Sequence, residues 1–103
     1  MNLEVAAGGF SAMGSEARLE VLRLLIRAGE AGLTVSEIQE RSGIAPSTLA
    51  HHLKFLAAGN VVTQEKQGRS TITHANFDHL RLLADYILCE CCADAPRKAA
   101  NDG

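Results

Sequence analysis

The chain has 103 residues, a length that fits one domain whose stability commonly draws on association. Its hydrophobic share of 47% comes from Leu, Ile, Val and Ala far more than from Phe10, Phe55, Phe77 and Tyr86, so an aliphatic core is expected, with surface left over for a subunit interface. The formal net charge of −2 excludes a globally basic nucleic-acid binder and makes any DNA contact a matter of local charge.

No run of about 18 apolar residues exists to cross a membrane, and no basic segment precedes an apolar run at the amino terminus, so a cytoplasmic chain is expected. Cys89, Cys91 and Cys92 are odd in number and crowded into four positions. That is not a secreted disulfide framework; in a reducing compartment it points to metal binding or thiol redox chemistry.

The first element is a weak helix over about Leu3 to Met13, weak because Gly8 and Gly9 disfavour helix. Ser15 is an N-cap for the second, in which Leu19, Leu22 and Ile26 repeat at helical spacing until Gly29. Thr34-Val35-Ser36-Glu37 is a capping box opening a third helix that places Val35 and Ile38 inward and closes at Gly43. After a short turn, Pro46 suits the first position of a fourth helix carrying Leu49, Leu53 and Leu56 and stopping near Gly59. The period then changes. Residues 61–66 and 69–74 are β-branched and strand-like, with Gln67-Gly68 as a two-residue connection. Asn76 caps a last helix bearing Leu80, Leu83, Ala84, Ile87, Leu88 and Cys91, and the tail after Asp94 is expected to fray. One domain over residues 1–103 is expected, with no repeat.

Helix, Gly-containing turn, helix, then hairpin is the order of a winged helix-turn-helix, a mainly α fold with a β-hairpin wing. At about 100° per residue, Leu49, Leu53 and Leu56 form one narrow inward stripe on the fourth helix. Ser47, His51 and Lys54 lie opposite, with Thr48 and Phe55 on a flank. Ser47 and Thr48 can donate to phosphates or base edges, Lys54 to a phosphate, and His51 to an acceptor such as a guanine edge. Lys66 and Arg69 flank the hairpin tip and, with Lys54 and Arg41, make a basic local surface. Such a face is also what a simply solvated helix presents. For His52, beside the leucine stripe, packing or a hydrogen bond near the turn is the expected role.

Ser47-Thr48-Leu49-Ala50-His51-His52-Leu53-Lys54-Phe55-Leu56, followed by Ala58-Gly59-Asn60-Val61-Val62 and Gln67-Gly68-Arg69, resembles the ArsR/SmtB family of metalloregulatory repressors, and Ala17-Arg18-Leu19-Glu20-Val21-Leu22-Arg23-Leu24-Leu25 resembles its second helix. The resemblance covers roughly residues 4–92. It implies a homodimer formed by the first and last helices, binding double-stranded operator DNA and releasing it on sensing a ligand. One sensor position of the family puts cysteines in the first helix of the helix-turn-helix; residues 34–42 contain none. A zinc-type position needs an Asp and a His early in the last helix, then a His and an acidic residue late. His79 fits the first His, but Phe77, Glu90 and Ala93 stand at the other positions. What remains is Cys89-Glu90-Cys91-Cys92, whose adjacent pair is similar to that of the arsenic-responsive members.

Thiolates select soft centres, and trivalent arsenic or antimony takes three of them, so an inducer rather than a permanent cofactor is expected at Cys89, Cys91 and Cys92. Zinc would want a fourth ligand, such as His74 or a carboxylate. On an ideal helix Cys91 points away from Cys89 and Cys92, so the three meet only if the helix ends there, as Asp94 and Pro96 favour, or if a second subunit contributes. Cys91 also falls on the apolar stripe, where it could be a small buried hydrophobe. Other readings stand beside this one. The same thiols could close a disulfide or persulfide bridge in a redox-sensing repressor. A small thiol oxidoreductase or arsenate reductase is opposed by the position of the thiols at a helix end, where the dipole disfavours thiolate, and no enzyme is expected. A winged helix used only for protein contacts would show no salt-dependent DNA affinity.

Overall fold

The aliphatic residues collapse where five helices meet a small sheet. A computed structural model describes residues 1–96. In chain order it contains α1 (Leu3–Ala12), α2 (Glu16–Ala28), a 3-10 turn (Gly29–Ala31), β1 (Leu33–Thr34), α3 (Val35–Ser42), α4 (Pro46–Ala58), β2 (Val62–Gln67), β3 (Ser70–Ala75) and α5 (Phe77–Leu88). The expected tail falls partly on residues 97–103, outside the described residues.

The helix starts follow from local hydrogen-bonding chemistry. Asn2 and Ser15 accept the amides of Val5 and Arg18, at 2.8 and 3.1 Å. Thr34 and Glu37 complete the capping box in both directions: the Thr34 hydroxyl accepts from the Glu37 amide at 3.1 Å, and Glu37 accepts from the Thr34 amide at 2.8 Å. Gly43 ends α3 in the left-handed region, φ 73°, where a Cβ would be costly, and this reverses the chain into α4 within three residues.

Val21, Leu22 and Leu25 of α2, Ile38 of α3, Leu49, Leu53 and Leu56 of α4, and Val61 and Val62 form one buried cluster, joined by Leu83 of α5 and Ala6 and Ala12 of α1. The inward stripe of the fourth helix is as its spacing predicted.

The sheet departs from the sequence reading in two ways. It has three antiparallel strands in the order β1-β3-β2, because Leu33 and Thr34 pair with Thr73 and Ile72 ahead of α3. The hairpin register also sits one residue later than predicted. Gln67 pairs with Ser70, so Gly68-Arg69 is the connection. Gly68 takes φ 64° at the first central position while Arg69 does not take a positive φ, the pattern of a type II′ turn, which needs glycine first.

The last helix is also shorter than its apolar stripe. It ends at Leu88, and the chain runs on through tight turns in which Cys91, Ala93 and Ala95 amides bond to the carbonyls of Leu88, Glu90 and Cys92. Cys91 is therefore off the helical stripe and exposed, which removes the reading of it as a buried hydrophobe. Among the described residues no helix is long and apolar enough to cross a membrane.

Candidate nucleic-acid interface and thiol cluster

On α4 the buried leucine stripe leaves Ser47, His51 and Lys54 exposed opposite it and Thr48 exposed on the flank, as the spacing predicted. Ala45 precedes the helix without a side-chain cap and Pro46 has no amide. The first-turn amides of α4 therefore have no side-chain cap. His52 is half-buried, and its Nδ1 is buried without a hydrogen-bond partner among the described residues; the packing role expected of it agrees with that placement.

His51 and Phe55, one turn apart, meet edge to face with ring centroids 4.9 Å apart. Above Phe55 lies Arg18 of α2, its guanidinium carbon 5.1 Å from the ring centre. Arg18 is itself held at the end of α1, where Nε donates to the Ala12 carbonyl at 2.6 Å and Nη2 to that of Ser11 at 3.4 Å. The sequence reading did not single out Arg18. Its spacing from Phe55 carries no local signal, and only the tertiary fold joins them.

Lys66 and Arg69 are exposed at the wing, Arg69 within the turn itself and Lys66 opposite Thr71. The wing is tied to the body by His74 of β3. Its Nδ1 faces the Glu30 carbonyl at 3.0 Å and its Nε2 the Glu65 carboxylate at 2.8 Å. Both partners are acceptors, so both contacts are hydrogen bonds only when the ring carries two protons. This engages His74 with β2 and the 3-10 turn.

At the base of the wing, α4 and α5 are joined by polar groups. Asn76 Nδ2 donates to the Asn60 carbonyl at 3.0 Å and to its Oδ1 at 3.3 Å, while Asn76 Oδ1 accepts the His79 amide at 3.3 Å. His79 is buried, its Nδ1 3.4 Å from Asn60 Nδ2. Its Nε2 is buried without a hydrogen-bond partner among the described residues.

The thiols lie at the other end of α5. Cys91 and Cys92 are exposed and bring their Sγ atoms to 3.0 Å, with Cys92 held at φ 68°. The hydrogen bond between them pushes the Cys91 thiol up from its ordinary value, and partial loss of hydration adds to this. Cys89 stands at the end of α5. Among the described residues no group of three metal-ligating side chains is assembled, so the structure joins two of the three predicted ligands and not the third.

A family profile described as a helix-turn-helix domain matches residues 13–65, from the end of α1 into the wing. Two curated relatives match as well. One, from Halobacterium salinarum and provisionally named an arsenical resistance operon repressor, is 34% identical over 65% of this chain and 51% of its own length. The other, an arsenical resistance operon repressor from Bacillus subtilis, is 29% identical over 78% of this chain and 74% of its own length. The chain belongs to the ArsR family of helix-turn-helix regulators. It spans about half the length of the Halobacterium relative.

Solved structures share this fold. An ArsR-like transcriptional regulator from Rhodococcus sp. RHA1 superimposes with a TM-score of 0.75 at 28% identity, covering 96% of this chain and 90% of that one. A homodimeric winged helix-turn-helix DNA-binding domain from Mycobacterium bovis gives 0.69 at 23% identity, covering 93% and 90%. These relatives are named as repressors, as a transcriptional regulator and as a DNA-binding domain.

Proposed function

We propose that this ArsR-family chain is an operator-binding repressor that acts as a homodimer and is released when trivalent arsenic or antimony binds its carboxy-terminal thiols. The observation that carries the reading is the pairing of Cys91 and Cys92 at 3.0 Å on an exposed turn directly after α5. Two adjacent thiols each replace a hydroxyl of arsenous acid, forming two sulfur–arsenic bonds and releasing two waters. A third bond needs Cys89 to swing in, or a thiol from the second subunit. The Halobacterium and Bacillus names support an arsenic-related inducer.

DNA contact falls to Ser47, Thr48, His51 and Lys54 on α4 and to Lys66 and Arg69 on the wing. The homodimer is supported by exposed Leu3 and Val5 of α1 and Leu82, Ile87 and Leu88 of α5, apolar side chains on the helices that the family resemblance assigns to the interface.

A second reading is favoured by the same thiol geometry. Peroxide could take two hydrogens from the pair, forming the Cys91–Cys92 disulfide and two waters.

The test is fluorescence anisotropy of the reduced protein on duplex DNA from upstream of its own gene. Tight binding that collapses with arsenite and not with zinc is expected. Binding indifferent to arsenite but lost with peroxide moves the signal to the second reading, and no binding at all overturns the DNA role. Unchanged arsenite response in each single Cys→Ser variant would remove the thiols from the mechanism.

A further inference from the structure

His51 is exposed on the outer face of α4, where a lone histidine would sample several rotamers in water. It is not alone. The ring of Phe55 lies one helical turn on, tilted 79° to it at a centroid distance of 4.9 Å, the edge-to-face arrangement that the aromatic quadrupole favours. Phe55 is 46% exposed and stands outside the apolar core, so its position is not explained by burial with Leu49, Leu53 and Leu56. Arg18 holds Phe55 through a cation–π contact at 5.1 Å. Arg18 in turn is anchored by the Ala12 and Ser11 carbonyls at the end of α1, the Ser11 oxygen also accepting the Gly14 amide at 3.1 Å. The result is a column running from the α1 terminus through Arg18 and Phe55 to His51.

We infer that Phe55 and Arg18 are positioning residues which fix the His51 ring in the orientation that meets a base edge. The inference rests on the proposed DNA role of His51. Base recognition depends on direction, and a side chain ordered before binding loses less entropy on meeting its partner. A leucine at position 55 would keep the apolar bulk and lose the ring, whereas tyrosine would keep both the edge contact and the cation–π face.

The experiment compares His51→Ala, Phe55→Leu, Phe55→Tyr, Arg18→Gln and the double variant His51→Ala/Phe55→Leu. Anisotropy is read on the duplex from upstream of the protein's own gene and on a scrambled duplex of equal length. Phe55→Leu is expected to weaken binding to the upstream duplex by about 3- to 10-fold, the size of one aromatic pair, with scrambled-duplex binding and the salt slope unchanged. Phe55→Tyr restores it. The double variant is expected to be no weaker than His51→Ala alone.

An independent readout is the proton NMR of the His51 ring. Its ring-current shift is expected to vanish in Phe55→Leu, to shrink in Arg18→Gln and to persist in Phe55→Tyr. Equal loss on both duplexes, or additivity of the two changes, overturns the inference and leaves the role of His51 standing. If His51→Ala binds like the parent protein, His51 is not a reader and the inference falls with it. If the parent protein ignores the upstream duplex, the DNA reading itself has failed.

Discussion

Gly59 offers the sharpest test of how α1 is seated on α4. It follows α4 with φ −84° and ψ 2°, a conformation that alanine adopts without strain. By backbone entropy alone, Gly59→Ala should stabilise the fold by about 0.4–1 kcal/mol. The structure reverses that sign. A Cβ at position 59 would sit 2.9 Å from the Gly8 carbonyl oxygen and closer still to the Ala12 Cβ. Neither neighbour is the flexible end of a side chain, so α1 must move by roughly 1 Å to restore an ordinary contact of about 3.5–4 Å. Overpacking of this kind costs about 1–3 kcal/mol, and the entropic gain offsets part of it, leaving a net loss of roughly 1–2 kcal/mol. For a domain of this size the melting temperature should fall by about 5–15 °C at fixed protein concentration. Ala12→Gly in the Gly59→Ala background removes the worst contact and should recover part of the loss, a non-additive pair. A melting temperature that rises by a few degrees in Gly59→Ala would refute the close approach of α1 to α4.

Four further outcomes are expected. Thr34→Ala should cost about 0.5–2 kcal/mol in urea unfolding, since it removes the hydroxyl that caps α3. The Glu37 carboxyl is held below its ordinary value of 4.5 by the Thr34 amide first and the Thr34 hydroxyl second. Its contribution to stability is therefore present above that ordinary value and lost as pH falls through the lower folded-state value, and Glu37→Gln should flatten this part of the acid limb in thermal melts. The Cys91 thiol is pushed up by its bond to Cys92, so it holds less thiolate at pH 7.5; Cys92→Ala should speed iodoacetamide labelling of Cys91, read by peptide mass spectrometry, and a slower rate would contradict the assignment. Lys66→Ala and Arg69→Ala should each weaken binding to upstream and scrambled duplexes alike and reduce the log–log salt slope by roughly 0.9.

The helices were legible because their signals are local. Asn76, Ser15 and the Thr34–Glu37 box sit where the chain must cap free amides, and the leucines of α4 repeat at the helical period whatever surrounds them. The sheet was less so. β1 is two residues long and owes its existence to β3, forty residues away, so no alternation within Leu33-Thr34 could announce it. The wing turn was placed one residue early because both readings put Gly68 in the turn. What decides between them is the pairing of Gln67 with Ser70, a property of two strands and not of the dipeptide.

The candidate site divides along the same line. Periodicity puts Ser47, His51 and Lys54 on an outer face and Thr48 on its flank, and burial of Leu49, Leu53 and Leu56 agrees with it. The column behind His51 was beyond reach, because Arg18 and Phe55 approach through the packing of α2 on α4. For the thiols, the sequence posed a conflict between three ligands and one helix face. The chain resolves it for two of them by leaving the helix at Leu88 and taking Cys92 into the left-handed region, which swings Cys92 beside Cys91. A β-carbon-bearing residue at positive φ is strained, and such strain survives where surrounding contacts sustain it. In the free chain the thiol–thiol hydrogen bond is one such contact. Bonds from both sulfurs to a single arsenic would replace it with a far stronger one, so capture of the ion would lock a turn that the fold has already formed.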